Sequence, residues 1–164
     1  MNTDRTVFSQ LIEQLPHREF QKCVDHHRGS EEHQVGEEYH DSDLWDAKAG
    51  VVDSLGTLRE TLRRAGLERT AVLLVTSSWT AARVCAAPLG MVFLDGGHSH
   101  GAVRADYEAW PGKIARGGIL AIHDLFPDPR EGGQAPIEVY RRALASGGFD
   151  ELPTTKTLGV LRRR

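Results

Sequence analysis

Apolar residues fall along this chain in two rhythms. Up to residue 65 they recur at helical spacing or lose all period; from residue 71 onward they come in short unbroken runs. Val7, Leu11 and Leu15, with Phe8 and Ile12 beside them, form the stripe of an amphipathic helix over residues 6–15, stopped by Pro16. Residues 19–24 read as a short strand with Phe20 and Val24 as its apolar positions. Residues 25–49 are polar, rich in His and Glu, and aperiodic. A loop of that length is functional or mobile. Val51, Val52, Leu55, Leu58 and Leu62 return to helical spacing and predict a helix over 51–65, with Gly66 as its C-terminal cap.

The second rhythm is that of strands buried on both faces. Residues 71–75, 91–94 and 118–122 are continuous apolar runs, and helical patterns separate them. Ser78 is placed to cap a helix reaching about Ala87, and Ser99 to cap one carrying Val103, Tyr107 and Trp110 before Pro111. A Gly- and Pro-rich loop spans 125–135. Pro136 then suits the first turn of a helix over 137–145, closed by Gly147 and Gly148. Residues 149–152 and 157–161 predict a terminal antiparallel pair. Buried strands alternating with helices define an α/β domain with a mostly parallel sheet. Such sheets bind ligands at the carboxyl ends of their strands. Asp25, Ser77, Asp95, His98, His123 and Asp124 all stand at or just past such ends.

Composition narrows the classes. A chain of 164 residues is read as one domain, and 40% hydrophobic against 26% charged residues is a globular balance. No apolar run approaches the roughly 20 residues of a membrane helix, and the acidic, h-region-free N-terminus predicts no signal peptide. Two cysteines, Cys23 and Cys85, cannot frame a disulfide scaffold; they read as buried small residues in a cytoplasmic protein. A net charge of −3 gives no electrostatic case for nucleic acid. The 17 glycines and 8 histidines stand out, and no glycine precedes Gly29.

The first candidate site pairs Asp95-Gly96-Gly97-His98 with His123-Asp124. Neighbouring strands lie about 4.8 Å apart, so side chains at their ends can converge. Two carboxylates and two imidazoles suit a divalent metal with mixed oxygen and nitrogen ligands, or a general acid/base pair. The alternative is structural, because an Asp followed by Gly also makes turns and helix caps. The second candidate is Asp25 with His26, His27, Arg28 and His33. An acidic residue ending a second strand is where α/β nucleotide folds hold ribose hydroxyls, and the histidines suit a metal or a substrate. The alternative here is a solvated loop. Trp79 and Trp110 read as packing residues, and Arg162, Arg163 and Arg164 as a solvated tail.

Three stretches carry a family resemblance: Val-Asp-His-His-Arg-Gly-Ser-Glu-Glu-His at 24–33, Val-Phe-Leu-Asp-Gly-Gly-His at 92–98, and Gly-Gly-Ile-Leu-Ala-Ile-His-Asp-Leu-Phe-Pro-Asp-Pro at 117–129. From residue 24 onward the chain resembles class I S-adenosylmethionine-dependent methyltransferases, most of all the small-molecule enzymes of actinobacterial type. The resemblance implies a Rossmann-like fold. It makes Asp25 the ribose-binding residue and Asp95 and Asp124 carboxylates that hold a metal, with His98 and His123 beside the substrate. Taken with the strand-end reading, Asp95, His98, His123 and Asp124 are the catalytic candidates, Asp95, His123 and Asp124 the candidate metal set, and His26, His27 and Arg28 the candidate substrate contacts. It also implies a first strand, a glycine loop and a helix ahead of the Asp25 strand. Residues 1–23 hold no such loop, so the fold is expected to be truncated at its first strand, which is central in the family's sheet.

Three functional expectations follow. The first is a degenerate methyltransferase-like subunit that does acid/base or metal-assisted chemistry on a small polar substrate, such as a cyclisation or elimination in natural-product biosynthesis. A partner chain would complete its sheet or pocket, and S-adenosylmethionine would not bind this chain alone. The second is an S-adenosylmethionine-dependent O- or N-methyltransferase. The third is a non-catalytic scaffold subunit.

Overall fold

The computed structural model describes residues 21–37, 39–86 and 88–164. The expected helix over 6–15, and the start of the strand expected over 19–24, lie outside the described residues. The described residues divide into two compact units, one reaching to Arg83 and the other starting at Val84.

In the first unit, β1 (Gln21–Asp25) runs parallel to β4 (Ala71–Val75), with Asp25 opposite Val75 at the shared carboxyl end. The polar segment between them is more ordered than its composition predicts. It carries 3-10 turns at Glu31–His33 and Ser42–Leu44 and a small antiparallel pair, β2 (Trp45–Asp46) with β3 (Val51–Val52). That pair corrects the helix expected from residue 51. Val51 and Val52 keep helical spacing with Leu55, but Trp45 and Asp46 draw them into a ladder, for which β-branched side chains are well suited. The Asp53 side chain then accepts the Leu55 N–H at 3.0 Å, and α1 (Leu55–Ala65) begins three residues after the ladder ends at Val52. Gly66 ends it at φ 68°, the left-handed cap read from the sequence. α2 (Ser78–Val84) follows β4 and is capped one residue earlier than expected, because Ser77 Oγ accepts the Thr80 N–H at 3.3 Å.

The second unit holds a four-stranded sheet in the order β5-β6-β8-β7. β5 (Leu89–Leu94) and β6 (Ile114–Ile122) are parallel, whereas β8 (Leu158–Arg163) runs antiparallel to both β6 and β7 (Phe149–Thr155). Between β5 and β6 lies α3 (His100–Ala109), whose N-cap Ser99 accepts the Ala102 N–H at 3.3 Å, as expected. α4 (Ala135–Ala145) begins with Pro136 in its first turn, also as expected. Ile114, Leu120, Ile122, Val160 and Leu161 are essentially fully buried, so the core of this unit lies along the central strands β6 and β8.

The terminal arginines depart from the sequence reading. Arg163 Nη1 donates to the carbonyls of Pro111, Gly112 and Ile114, and Arg164 pairs with Asp150 at 2.6 Å. What reads as a solvated tail is the end of β8, and its last cation caps the turn ahead of β6. Trp110 is buried at 6% exposure, whereas Trp79 is 56% exposed. Among the described residues no helix is long and apolar enough to cross a membrane.

Candidate active site

Register alone brings the first candidate cluster together. Leu94 faces Ile122 in the parallel ladder, so Asp95 and His123 leave the sheet side by side, and the His123 N–H donates to the Leu94 carbonyl at 3.1 Å. His123 Nδ1 lies 3.1 Å from Asp95 Oδ1 and 3.1 Å from Asp124 Oδ1. His98 Nε2 lies 2.8 Å from Asp124 Oδ2. The four residues therefore form one chain of contacts, Asp95–His123–Asp124–His98. Ligand atoms of Asp95, His123 and Asp124 all fall within 4.8 Å of one another. The Asp124 side chain is 22% exposed and that of Asp95 48%, so the cluster is sheltered at one end and open at the other. The Phe93 ring meets His123 edge-on at 6.3 Å between centroids, an aromatic wall that helps set the imidazole plane.

Backbone strain marks the same spot. Asp124 sits at φ 57°, where residues other than glycine are rare. Such strain persists when the surroundings over-determine it, and it concentrates at functional sites.

A cavity of about 20 Å³ lies against this cluster, lined by Asp95, Gly96, His98, Asp106 and His123 among others. That is room for one water molecule, for which roughly 10–15 Å³ suffices. Asp106 is the site residue that the sequence reading missed. A Cβ on Gly96 would stand 3.1 Å from Asp106 Oδ2, so the glycine lets the carboxylate close on the turn. The signal was present: Val103, Asp106 and Trp110 share a helical stripe, and a carboxylate on the inward stripe needs a reason.

The second candidate cluster is only partly what its composition promises. Asp25 ends β1 with its side chain 56% exposed, and its Oδ1 accepts the His27 N–H at 2.7 Å. This tight turn holds His27 at φ 61° and sends its ring inward. His27 is 4% exposed and its Nδ1 is 2.9 Å from Ser54 Oγ, so it ties the Asp25 turn to the start of α1. His26 is exposed, and its Nδ1 accepts the Arg28 N–H at 3.0 Å. Arg28 donates to Asp53 at 3.0 Å. His33 Nδ1 accepts the Ser30 N–H at 3.2 Å within its own turn. Asp25, His26 and Arg28 thus present polar groups to solvent, whereas His27 and His33 hold the loop together. Cys85 is buried and Cys23 half-buried, as small apolar residues would be.

Strand ends bearing carboxylates, on parallel strands joined through helices, are the arrangement that the sequence motifs led one to expect, and comparison with known proteins decides the family. The model of a methyltransferase domain matches residues 8–125, well over half the chain. This chain belongs to the methyltransferase domain family. Solved structures agree on the fold. A Streptococcus mutans protein, SMU.1697c, described as a methyltransferase and crystallised in complex with SAH, aligns over 100% of this chain and 99% of its own, with a TM-score of 0.57 and 12% identity. The O-methyltransferase NovP aligns over 87% of this chain and 59% of its own, with a TM-score of 0.59 and 14% identity. An rRNA methylase from Streptococcus thermophilus covers 99% and 97%, with a TM-score of 0.57 and 16% identity. The methyltransferase domain therefore has the Rossmann-like α/β fold of a class I enzyme, a fold that carries SAH in the Streptococcus mutans structure.

Proposed function

We propose that this methyltransferase-domain protein transfers a methyl group from S-adenosylmethionine to a hydroxyl of a small polar molecule, with the Asp95–His123–Asp124 cluster receiving the hydroxyl proton. The observation that carries this reading is His123 Nδ1 held 3.1 Å from each of two carboxylates at the end of the β5–β6 ladder. An imidazole in that position takes up a proton from an acceptor hydroxyl, while Asp95 and Asp124 orient the ring by hydrogen bonding. His98, against the far oxygen of Asp124, holds that carboxylate in place.

The residues present fit both groups that the family implies. Asp25 offers an exposed carboxylate at a strand end, with one oxygen anchored by the His27 N–H, which suits it to accept ribose hydroxyls. Asp95 and Asp124 offer carboxylate oxygens that would hold Mg²⁺ or Mn²⁺, which leaves the His123 imidazole to take the proton. When bound, the cofactor supplies an electrophilic methyl group and the ion supplies Lewis acidity that lowers the hydroxyl pKa. SAH in a protein of the same fold supports the first assignment.

Isothermal titration of the full chain with S-adenosylmethionine and SAH tests the reading, together with methyl transfer to a panel of polyhydroxylated small molecules. Micromolar binding is expected, weakened about tenfold or more by Asp25→Ala. Transfer should fall on the order of 10²-fold or more in His123→Ala and Asp124→Asn. A wild-type chain that binds neither compound overturns the proposal.

One observation favours a second reading. Among the described residues β1 pairs only with β4, and β5 only with β6, so each keeps one edge for another strand. The same four polar residues would then serve acid/base chemistry without methyl transfer, in an assembly with a partner chain. Light scattering separates the two, because a monomer that methylates by itself removes the second.

A further inference from the structure

We propose that Asp106 is a positioning residue for the cluster at the end of the β5–β6 ladder. Its carboxylate, seated against the bare backbone of Gly96, fixes the turn that carries Asp95 and His98. Residues 95–98 lie between β5 and α3 and belong to neither strand nor helix. Two of these four residues are glycines, which lose the most conformational freedom on ordering. The turn nevertheless places Asp95 Oδ1 3.1 Å from His123 Nδ1, and His98 Nε2 2.8 Å from Asp124 Oδ2. Two contacts that close require the turn to be held along its length, not only where the ladder ends and where Ser99 caps α3.

Gly96 shows what holds it. Gly96 is not among the glycines with positive φ, so its backbone conformation does not demand a glycine. It is exposed, so core packing does not demand one either. Among the described residues beyond its chain neighbours, a Cβ here would meet one atom within 4 Å, Asp106 Oδ2 at 3.1 Å. The glycine therefore makes room for that carboxylate. Asp106 is half-buried and shares the inward stripe of α3 with Val103 and Trp110, which are 8% and 6% exposed. A carboxylate on an apolar stripe is costly to desolvate unless its oxygens are engaged, and here one of them reaches the turn. Asp106 also lines the same water-sized cavity as Asp95, His98 and His123, which puts it directly behind the reacting groups. It acts through Asp95 and His98, by setting where they point.

This role rests on the reading of Asp95, His98, His123 and Asp124 as the reacting cluster, but its test needs neither cofactor nor methyl acceptor. NMR of the full chain at one fixed pH follows the amides of residues 96–98 and the ring signals of His98 and His123. Both sets are expected to shift and broaden in Asp106→Ala and in Gly96→Ala. Gly101→Ala is the control: it adds the same methyl to α3 where no atom lies within 4 Å, and both sets should stay in place. Gly96→Ala alters an exposed turn, so it decides the matter even if Asp106→Ala does not fold. Adding Gly96→Ala to Asp106→Ala should change little further, because the oxygen that the methyl opposes is gone. Fully additive changes in the double variant, or His98 and His123 rings that do not move in Gly96→Ala, overturn the proposal. In methyl transfer, kcat should fall about tenfold or more in both single variants, with the KM for S-adenosylmethionine unchanged. A wild-type chain that transfers no methyl group, with the ring shifts present in the variants, keeps Asp106 in this role and removes only the methyl-transfer reading.

Discussion

The two units of this chain use strands of the same type to different ends. In residues 84–164, β6 is paired on both sides, by β5 and by β8, and its last five residues are all buried. In the unit ending at Arg83, β1 and β4 pair only with each other among the described residues, and neither contains a buried residue. What is buried there is Val52, Ala81, Ala82 and the ring of His27. Each unit presents carboxylate chemistry at a strand end, but on different foundations. Asp95, His123 and Asp124 rest on a packed sheet. Asp25 rests on a two-stranded ribbon, held by a histidine that hydrogen-bonds inward. The lesson is that a site residue can be steadied by an apolar core or by one buried polar tie.

The largest effect that sharpens this contrast should come from the packed sheet. Leu161 is fully buried on β8, and Leu161→Ala should cost about 2–5 kcal/mol by urea denaturation. Val24→Ala on half-buried β1 should cost roughly 1 kcal/mol. Equal losses would break the comparison.

The next effect probes the polar tie. Ser54→Ala removes the partner of the His27 ring and leaves a buried imidazole nitrogen unsatisfied, at a cost of about 1–3 kcal/mol. S-adenosylmethionine affinity should fall with it if the Asp25 turn loosens. A variant as stable as wild type shows that His27 does not hold the turn.

The smallest effect is confined to alkaline pH. Burial and Glu151 raise the Tyr140 phenol from 10.0 to about 12, so the folded state holds that proton more tightly than the unfolded chain does. Its stabilisation is complete below pH 10 and is lost as pH rises from about 10 through about 12. Tyr140→Phe should flatten the decline of thermal stability across that window and leave its shape below pH 9 unchanged. An identical alkaline decline in both proteins would show that the pair has no such role.

How much was legible from residues alone varies by element. The strands around Leu73, Val92 and Leu120, the Ser99 cap and the Gly66 stop were all readable, because each depends on a few adjacent residues; burial was not, since the run at 71–75 reads as buried on both faces while β4 holds no buried residue and Val75 is 52% exposed. The meeting of Asp95 with His123 was readable too, since a parallel ladder carries two strand ends to the same level. Val51 and Val52 were misread as helix, because their ladder partner Trp45 sits across a loop with no period. Arg163 reads as a tail until β8 is threaded beside the turn at Pro111.

What the amino-acid sequence by itself determined is the α/β alternation, the family motifs and the placing of acidic and imidazole side chains at strand ends. Periodicity and local capping encode these, and both act over a few residues. Only the tertiary structure decided which polar residues work together. It turned His27 away from solvent and drew Asp106 in against Gly96. Such contacts join residues far apart in the chain, and their geometry follows from how strands and helices pack.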